Sequence, residues 1–259
     1  MTPPPTARTA DIGVIDPFDP HFSAFVFKIQ ANMDPRHRDR IAFFRVCSGR
    51  YQQGMKVFHV REGRDMKIAN ALTFMAQDRV VMTDAVAGDI IGIYNHGQLH
   101  IGDTLTGGER LGFTGIPNFA PELFRGARSK DPFKAKQLQK GLQELGEEGA
   151  IQVFTNDLGH ILLGAVGQLQ FEIVAQRLAT EYKVDAIYEG TDVSTARWLS
   201  FPDDKTKRDF EAEQAARLAT DVNGNVVYLA TSIYNLETTM KHWPQVTFHT
   251  TREMSQKFD

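Results

Sequence analysis

Short alternating runs of hydrophobic residues fill the first part of the chain. Apolar positions recur with the two-residue period of a half-buried strand over 25–30. Further short runs predict strands over 41–46, 57–60, 67–72, 80–82, 90–94 and 98–101. No helical period interrupts them. The pattern over 22–113 therefore predicts many short strands, which a closed β-barrel accommodates without exposed sheet edges.

The pattern changes after Phe113 and becomes a mixture of strands and helices. A strand is predicted over 119–127, and Asp131 followed by Pro132 is typical of a helix start. A leucine stripe then marks the first helix. A second helix is predicted over 167–182, with Leu169, Ile173, Val174 and Leu178 as its buried face. With strands over 150–154, 160–166 and 184–188, the order is β-α-β-β-α-β, which predicts a ferredoxin-like α/β sandwich.

The remaining segment predicts a C-terminal extension packed on that sandwich. Its pattern favours strands over 197–201, 226–230 and 246–249, a charged helix over 203–218 and a helix over 232–243. We divide the chain into a disordered lead-in or linker stub (1–21), a barrel (22–113), a linker (114–118), an α/β domain with its extension (119–253) and a tail (254–259). The linker residues are Thr114, Gly115, Ile116, Pro117 and Asn118.

Composition excludes several classes of protein and leaves few candidates for catalysis. The 259 residues carry a net charge of −3 and one cysteine, Cys47, and no apolar run reaches the ~20 residues of a membrane span. We therefore expect a cytoplasmic protein without a membrane or metal site. The sequence contains no G-x-x-x-x-G-K-S/T loop for nucleotide phosphates. A lone cysteine is more often a small buried hydrophobe than a nucleophile, although a Cys47 hydrolase stays an alternative.

Positive charge is concentrated in one segment. Residues 28–67 contain ten basic and four acidic side chains, net +6, so the rest of the chain carries −9. Such asymmetry is typical of a phosphate-binding face, and a solvated charged loop is the alternative. The candidates for contacting RNA are Lys28, Arg36, His37, Arg38, Arg40, Arg45 and Arg50, with Arg128 and Lys130 near the first helix of the second domain.

Several sequence motifs resemble the translational GTPases. The segments 25–35 and 38–43, and the Gly-Asp pairs at 88–89 and 102–103, resemble the second domain of that superfamily. The segments 113–124, 164–171 and 196–198 are similar to bacterial class II peptide-chain release factors. The resemblance covers 22–253, and the family's N-terminal GTPase domain does not appear in the 259 residues.

The resemblance implies both a fold and a role. The barrel would be like domain two of elongation factor Tu, and the α/β domain like the third domain of elongation factor G. An intact member of the family binds GTP with Mg²⁺ in an N-terminal domain, which does not appear in the 259 residues. It acts on the ribosome, contacting small-subunit RNA and protein, to release class I release factors. We expect a monomer with no cofactor or catalytic residue of its own. The alternatives are a stand-alone RNA-binding or scaffold protein and a fragment of an elongation-type factor.

Overall fold

A computed structural model of the protein describes residues 4–31, 40–75 and 78–253. The chain separates into two compact units, the first running up to Pro117 and the second from Asn118 to Arg252. Within the described residues, no helix is both long and apolar enough to cross a membrane.

The residues of the first unit that the structure describes form strands and no helix. In chain order they are β1 (Arg8–Ala10), β2 (Gly13–Ile15), β3 (Ser23–Ala31), β4 (Arg40–Ser48), β5 (Arg50–Gln52), β6 (Lys56–His59), β7 (Arg64–Lys67), β8 (Ala71–Met75), β9 (Asp78–Met82), β10 (Asp84–Val86), β11 (Ile90–Tyr94) and β12 (Thr104–Thr106). Eight of them form one antiparallel sheet in the order β7-β6-β12-β3-β4-β11-β8-β9, while β1 pairs with β2 and β5 with β10. The sheet curls around one core, which includes Val26, Phe44, Tyr51 and Leu105. This β-barrel confirms the fold class predicted for the first domain.

Two strand predictions in the barrel are wrong in detail. No strand lies over 98–101, because the buried Asn95 side chain organises a turn there. Its Oδ1 accepts hydrogen bonds from the amides of Gly97, Gln98 and Leu99 at 3.0, 3.0 and 3.1 Å. The strand follows as β12 instead. The single run predicted over 67–72 is two strands, since β7 ends at Lys67 and β8 begins at Ala71.

The second unit has helices on an antiparallel sheet. Its elements are β13 (Pro117–Phe119), β14 (Leu123–Ser129), α1 (Ala135–Glu147), β15 (Gln152–Thr155), β16 (Ile161–Ala165), α2 (Gln168–Glu181), β17 (Ala186–Glu189), β18 (Thr195–Ser200), α3 (Asp204–Gln214), β19 (Leu218–Asp221), β20 (Val226–Ala230), α4 (Ile233–His242), β21 (Thr247–His249) and β22 (Thr251–Glu253). The main sheet runs β17-β14-β16-β15-β19-β20-β18-β21. The first four neighbours are the fourth, first, third and second strands of the predicted β-α-β-β-α-β unit, which is the ferredoxin-like order.

The predicted C-terminal extension is a second module of the same kind. Its elements β18-α3-β19-β20-α4-β21 repeat β-α-β-β-α-β. Read from the β21 edge of the sheet inward, its strands again lie in the order fourth, first, third, second. The two modules join edge to edge through β15 and β19, where Phe154 pairs with Asp221. Each module has its own hydrophobic core, formed between its helices and its strands. A third cluster of buried residues contains strand residues from both modules, including Phe154, Trp198 and Leu229.

Three further expectations for the second unit need correction. Leu169 and Ile173 of α2 are 64% and 45% exposed, because the buried stripe runs through Phe171, Val174 and Leu178 at i, i+3 and i+7. The charged helix predicted over 203–218 ends at Gln214 and gives way to a 3₁₀ turn and then β19. The strand predicted over 119–127 is interrupted by the segment around Pro121, which separates β13 from β14.

Candidate nucleic-acid interface

Three of the predicted cationic residues lie on the long β3–β4 hairpin of the barrel. The strand register sets Lys28 opposite Phe43 and Arg40 opposite Ala31, both toward the end where the two strands connect. Arg45 lies further along β4, opposite Phe25. Lys28 is exposed and the two arginines are half-buried. Arg36, His37 and Arg38 belong to the connection itself, which lies outside the described residues.

Aromatic rings accompany these cations on the hairpin. Phe25, Phe27 and Phe43 are half-buried, whereas their neighbours Val26 and Phe44 point into the barrel core. The rings of Phe27 and Phe43 lie 6.5 Å apart between centroids. The hairpin therefore presents positive charge together with flat apolar surface, a combination that fits a nucleic-acid strand.

Arg50 does not join this group. It lies on β5, and its guanidinium donates to the Asp84 carboxylate of β10, with Nε 3.2 Å from Oδ2. The pairing neutralises its charge locally and leaves it less suited to a phosphate than Lys28 or Arg45.

A buried polar cluster nearby is structural. Asp103 accepts hydrogen bonds from His59 Nε2 at 2.9 Å, from Arg61 Nε at 2.6 Å and from the His100 amide at 2.8 Å. Burial alone would raise the pKa of the Asp103 carboxyl, but the hydrogen bonds from His59 and Arg61 hold it below its ordinary value. Arg61 also donates to the Gln98 carbonyl at 2.9 Å. The cluster fixes the turn before β12, and its carboxylate is fully occupied.

Cys47 has the environment of a core residue. It is buried, its Sγ donates to the Arg45 carbonyl at 3.6 Å, and burial raises the pKa of its thiol to about 12. A thiol held protonated at neutral pH is a poor nucleophile. The environment argues against the hydrolase alternative.

The remaining predicted cations lie where the first module of the second unit begins its helix α1. Arg128 of β14 forms an ion pair with Glu189 of β17, and both side chains are about half exposed. Lys130 follows β14, its amide donating to the Asp185 carbonyl at 2.9 Å while its side chain is exposed. Sequence reasoning missed the aromatic residue beside them. Phe133 is 98% exposed, and its only signal in the sequence is its place after Asp131-Pro132.

The predicted linker has one position that demands glycine. Gly115 has φ of +98°, in the left-handed region that side chains rarely adopt. The Thr114 amide donates to the Thr9 carbonyl at 3.1 Å, and Pro117 and Asn118 belong to β13.

A concave site also occurs in the second unit; no predicted residue lines it, but Glu189, the ion-pair partner of Arg128, does. It is a cavity of about 290 Å³ whose lining includes the apolar residues Phe154, Leu162 and Leu229. Arg217 and Asp192 pair across its rim, with Nη1 and Oδ2 3.0 Å apart. Among the described residues there is no group of three or more His, Cys, Asp or Glu side chains that could hold a metal ion.

Comparisons with known proteins match both units. Residues 21–108 match the family described as elongation factor G domain 2, and residues 113–240 match class II release factor RF3, C-terminal domain. Peptide chain release factor 3 of Aromatoleum aromaticum is 69% identical over 260 residues, which cover 98% of this chain and 47% of that protein. The chain thus spans about half the length of this relative. A crystal structure from Thermus thermophilus shares the fold with a TM-score of 0.58 at 23% identity, covering 73% of this chain and 29% of that one.

Proposed function

Because this chain belongs to the class II release factor family, we propose that it is the ribosome-docking part of a translation termination factor. The intact factor would use GTP to promote departure of class I release factors from the ribosome. GTP, GDP and Mg²⁺ would bind a domain outside these 259 residues, and the part described here would work as a cytoplasmic monomer. The match over 113–240 favours this function over an elongation-type factor, whose domain 2 the barrel also resembles.

The observation that carries the proposal is the charged hairpin. The segment 28–67 carries +6 in a chain of net −3. The structure places Lys28, Arg40 and Arg45 on one pair of strands, next to half-buried rings. Small-subunit RNA offers a phosphate backbone that such a surface would bind without reading sequence.

Charge reversal on the hairpin tests the proposal. The double variant Lys28→Glu with Arg45→Glu should weaken binding to isolated 30S subunits, because two phosphate contacts become repulsive. The logarithmic dependence of affinity on salt should become shallower by about one for each contact removed. The matched control is Lys205→Glu on α3, an exposed lysine of the second module, which should bind as the parent does. Unchanged binding of the double variant would remove the hairpin from the docking surface.

Nucleotide titration tests the division of labour. Labelled GTP or GDP added to the purified chain should show no saturable binding, since no phosphate-binding loop of the G-x-x-x-x-G-K-S/T type occurs in it. Saturable binding at micromolar nucleotide would contradict the assignment of nucleotide binding to another domain.

A further inference from the structure

An aromatic ring is held away from the body of the second unit by a rigid turn. Asp131 caps the turn Pro132–Lys134, its Oδ1 accepting the Phe133 amide at 3.0 Å. The Lys134 amide donates to the Asp131 carbonyl at 2.9 Å, and Ser129 Oγ donates to the same carbonyl at 2.7 Å. Despite these restraints the Phe133 ring is 98% exposed. The hydrogen bonds hold the backbone of the turn so that the phenylalanine projects into solvent, and its apolar face is available to a partner.

Positive charge is concentrated in the segment that carries this ring. Residues 125–140 contain six basic residues and one acidic residue, net +5. Lys130 and Lys136 are exposed and have no ion pair among the residues that the structure describes. The Lys134 ammonium donates to the Lys183 carbonyl at 2.8 Å, which brings the exposed Lys183 to the same surface. Phe133, Lys130, Lys134, Lys136 and Lys183 are called the Phe133 platform below.

The same turn occurs a second time in the chain with different neighbours. Asp16-Pro17-Phe18 repeats the tripeptide, and the Phe18 amide donates to Asp16 Oδ1 at 2.9 Å, as in the platform. Phe18 is also exposed, at 82%. Its charged neighbours are Asp16 and Asp19 rather than lysines. The tripeptide explains why each ring projects, and only the platform combines the projection with positive charge.

We propose that the Phe133 platform binds a single-stranded segment of RNA, with one base stacked on the ring and the flanking phosphates on the lysines. This inference deepens the proposed function by adding an RNA contact in the second unit. The platform's charge complements a polyanion. Its ring is almost fully exposed, so it offers a base a full stacking face. Stacking of this kind is tolerant of sequence.

Three substitutions at one position separate stacking from other contacts. Binding of a fluorescein-labelled oligoadenylate, about 12 nucleotides long, is followed by anisotropy. Phe133→Ala should weaken it about tenfold, the loss expected for one stacked base. Phe133→Trp should retain binding and show tryptophan quenching by the RNA, whereas Phe133→Leu should behave as Phe133→Ala does. Phe18→Ala, the matched control on the acidic turn, should bind as the parent does.

Inorganic polyphosphate provides the second arm, because it has charge but no bases. Lys130→Glu with Lys136→Glu should weaken binding of both polymers, while Phe133→Ala should weaken only the RNA. The platform is refuted if Phe133→Ala leaves RNA binding unchanged or weakens both polymers equally. Full binding by Phe133→Leu, or equal affinity for oligoglutamate with the same dependence on Phe133, would overturn it in favour of an acidic protein partner.

The outcome is independent of the barrel hairpin. If the Lys28 and Arg45 variant binds 30S subunits normally while the platform variants lose RNA, the hairpin proposal fails and the platform stands. If the platform variants bind RNA normally while the hairpin variant loses 30S binding, the platform alone fails.

Discussion

The two modules of the second unit share one topology but place opposite charges in the first turns of their first helices. α3 starts behind Asp203, whose Oδ1 accepts the Thr206 amide at 2.7 Å, and Asp204 occupies its first turn. α1 continues directly from the turn Pro132–Lys134, which Asp131 caps, but its own first turn contains Lys136 and no acidic residue. Acidic residues stabilise a helix N-terminus and lysines oppose its dipole. In the charge of the first turn, the second module follows the rule for stability and the first module departs from it.

The aromatic residue before each helix shows a parallel difference: it is packed in the second module and exposed in the first. Phe201, which precedes α3, packs against Phe210 with ring centroids 5.7 Å apart. Phe133, which precedes α1, is almost fully exposed. The unfavourable first-turn charge and the exposed ring therefore occur together at the start of α1, and neither has a counterpart at the start of α3. The difference teaches that folding constrains the start of α3 more tightly than the start of α1, which is where we propose that RNA binds.

The largest expected effect tests whether the modules are one folding unit. Phe210 is fully buried and its ring lies within 5.2 to 6.2 Å of those of Phe201, Tyr228, Trp243 and Phe248. Phe210→Ala should reduce the free energy of unfolding by about 3–5 kcal/mol. Urea unfolding followed by tryptophan fluorescence reports on the second module, which contains both tryptophans. Hydrogen exchange of α1 and α2 amides reports on the first.

We expect protection to fall in both modules, because β15 pairs with β19 and one cluster of buried residues spans both. Phe133→Ala, the same change at an exposed ring, should alter stability by no more than about 0.5 kcal/mol. If the amides of the first module keep their full protection from hydrogen exchange in Phe210→Ala, the two modules fold separately and should be regarded as two domains.

An intermediate effect concerns how each module brings its helices together. α3 reaches α4 through the contact of Phe210 with Trp243, whereas α1 approaches α2 through Gly141. A Cβ on Gly141 would lie 2.7 Å from Leu178 Cδ2 and 2.9 Å from Tyr182 Cγ. Gly141→Ala should therefore destabilise by roughly 1–2 kcal/mol, overpacking outweighing a gain in helix propensity of about 1 kcal/mol.

The control for Gly141 is Gly190→Ala in an open loop, where nothing lies within 4 Å of the added carbon. It should unfold at the same urea concentration as the parent. A Gly141→Ala variant that is more stable than the parent would show that α1 and α2 can move apart to accept the added carbon. Close packing at Gly141 would then not be required for stability.

The sequence predicted the barrel, the first module and the family, and these are confirmed. It did not reveal that the extension is a second module, because β19 has only four residues. The segment 215–217 before it, Ala-Ala-Arg, forms a 3₁₀ turn, but its residues have high helix propensity and therefore read as a continuation of α3. The helical period also led to the wrong assignment of Leu169 and Ile173 to the buried face of α2. Apolar residues lie on more than one face of this helix, and only its contacts with the sheet decide which face is buried. The cations were visible as charge, but their use in binding stays a prediction.

Exposure is the reason that the sequence indicates Lys130 but not Phe133. Asp131-Pro132 was interpretable as a helix start, and the following phenylalanine would ordinarily be assigned to a core. Only its surroundings in three dimensions show that no core lies beside it. Ion pairing is hidden from the sequence in the same way: Arg50 and Arg45 look alike until Asp84 is found beside Arg50.

The smallest expected effect exchanges the charges at the two helix starts. Lys136→Glu should stabilise the second unit by about 0.5 kcal/mol and Asp204→Lys should destabilise it by a similar amount, because each reverses its interaction with the helix dipole. Thermal unfolding at neutral pH measures both, and both shifts should shrink as salt screens the exposed charges. Lys136→Glu should at the same time weaken oligoadenylate binding, so that stability and binding change in opposite directions. A variant that loses stability together with binding would mean that Lys136 supports the fold, and the first helix would then obey the same constraint as the second.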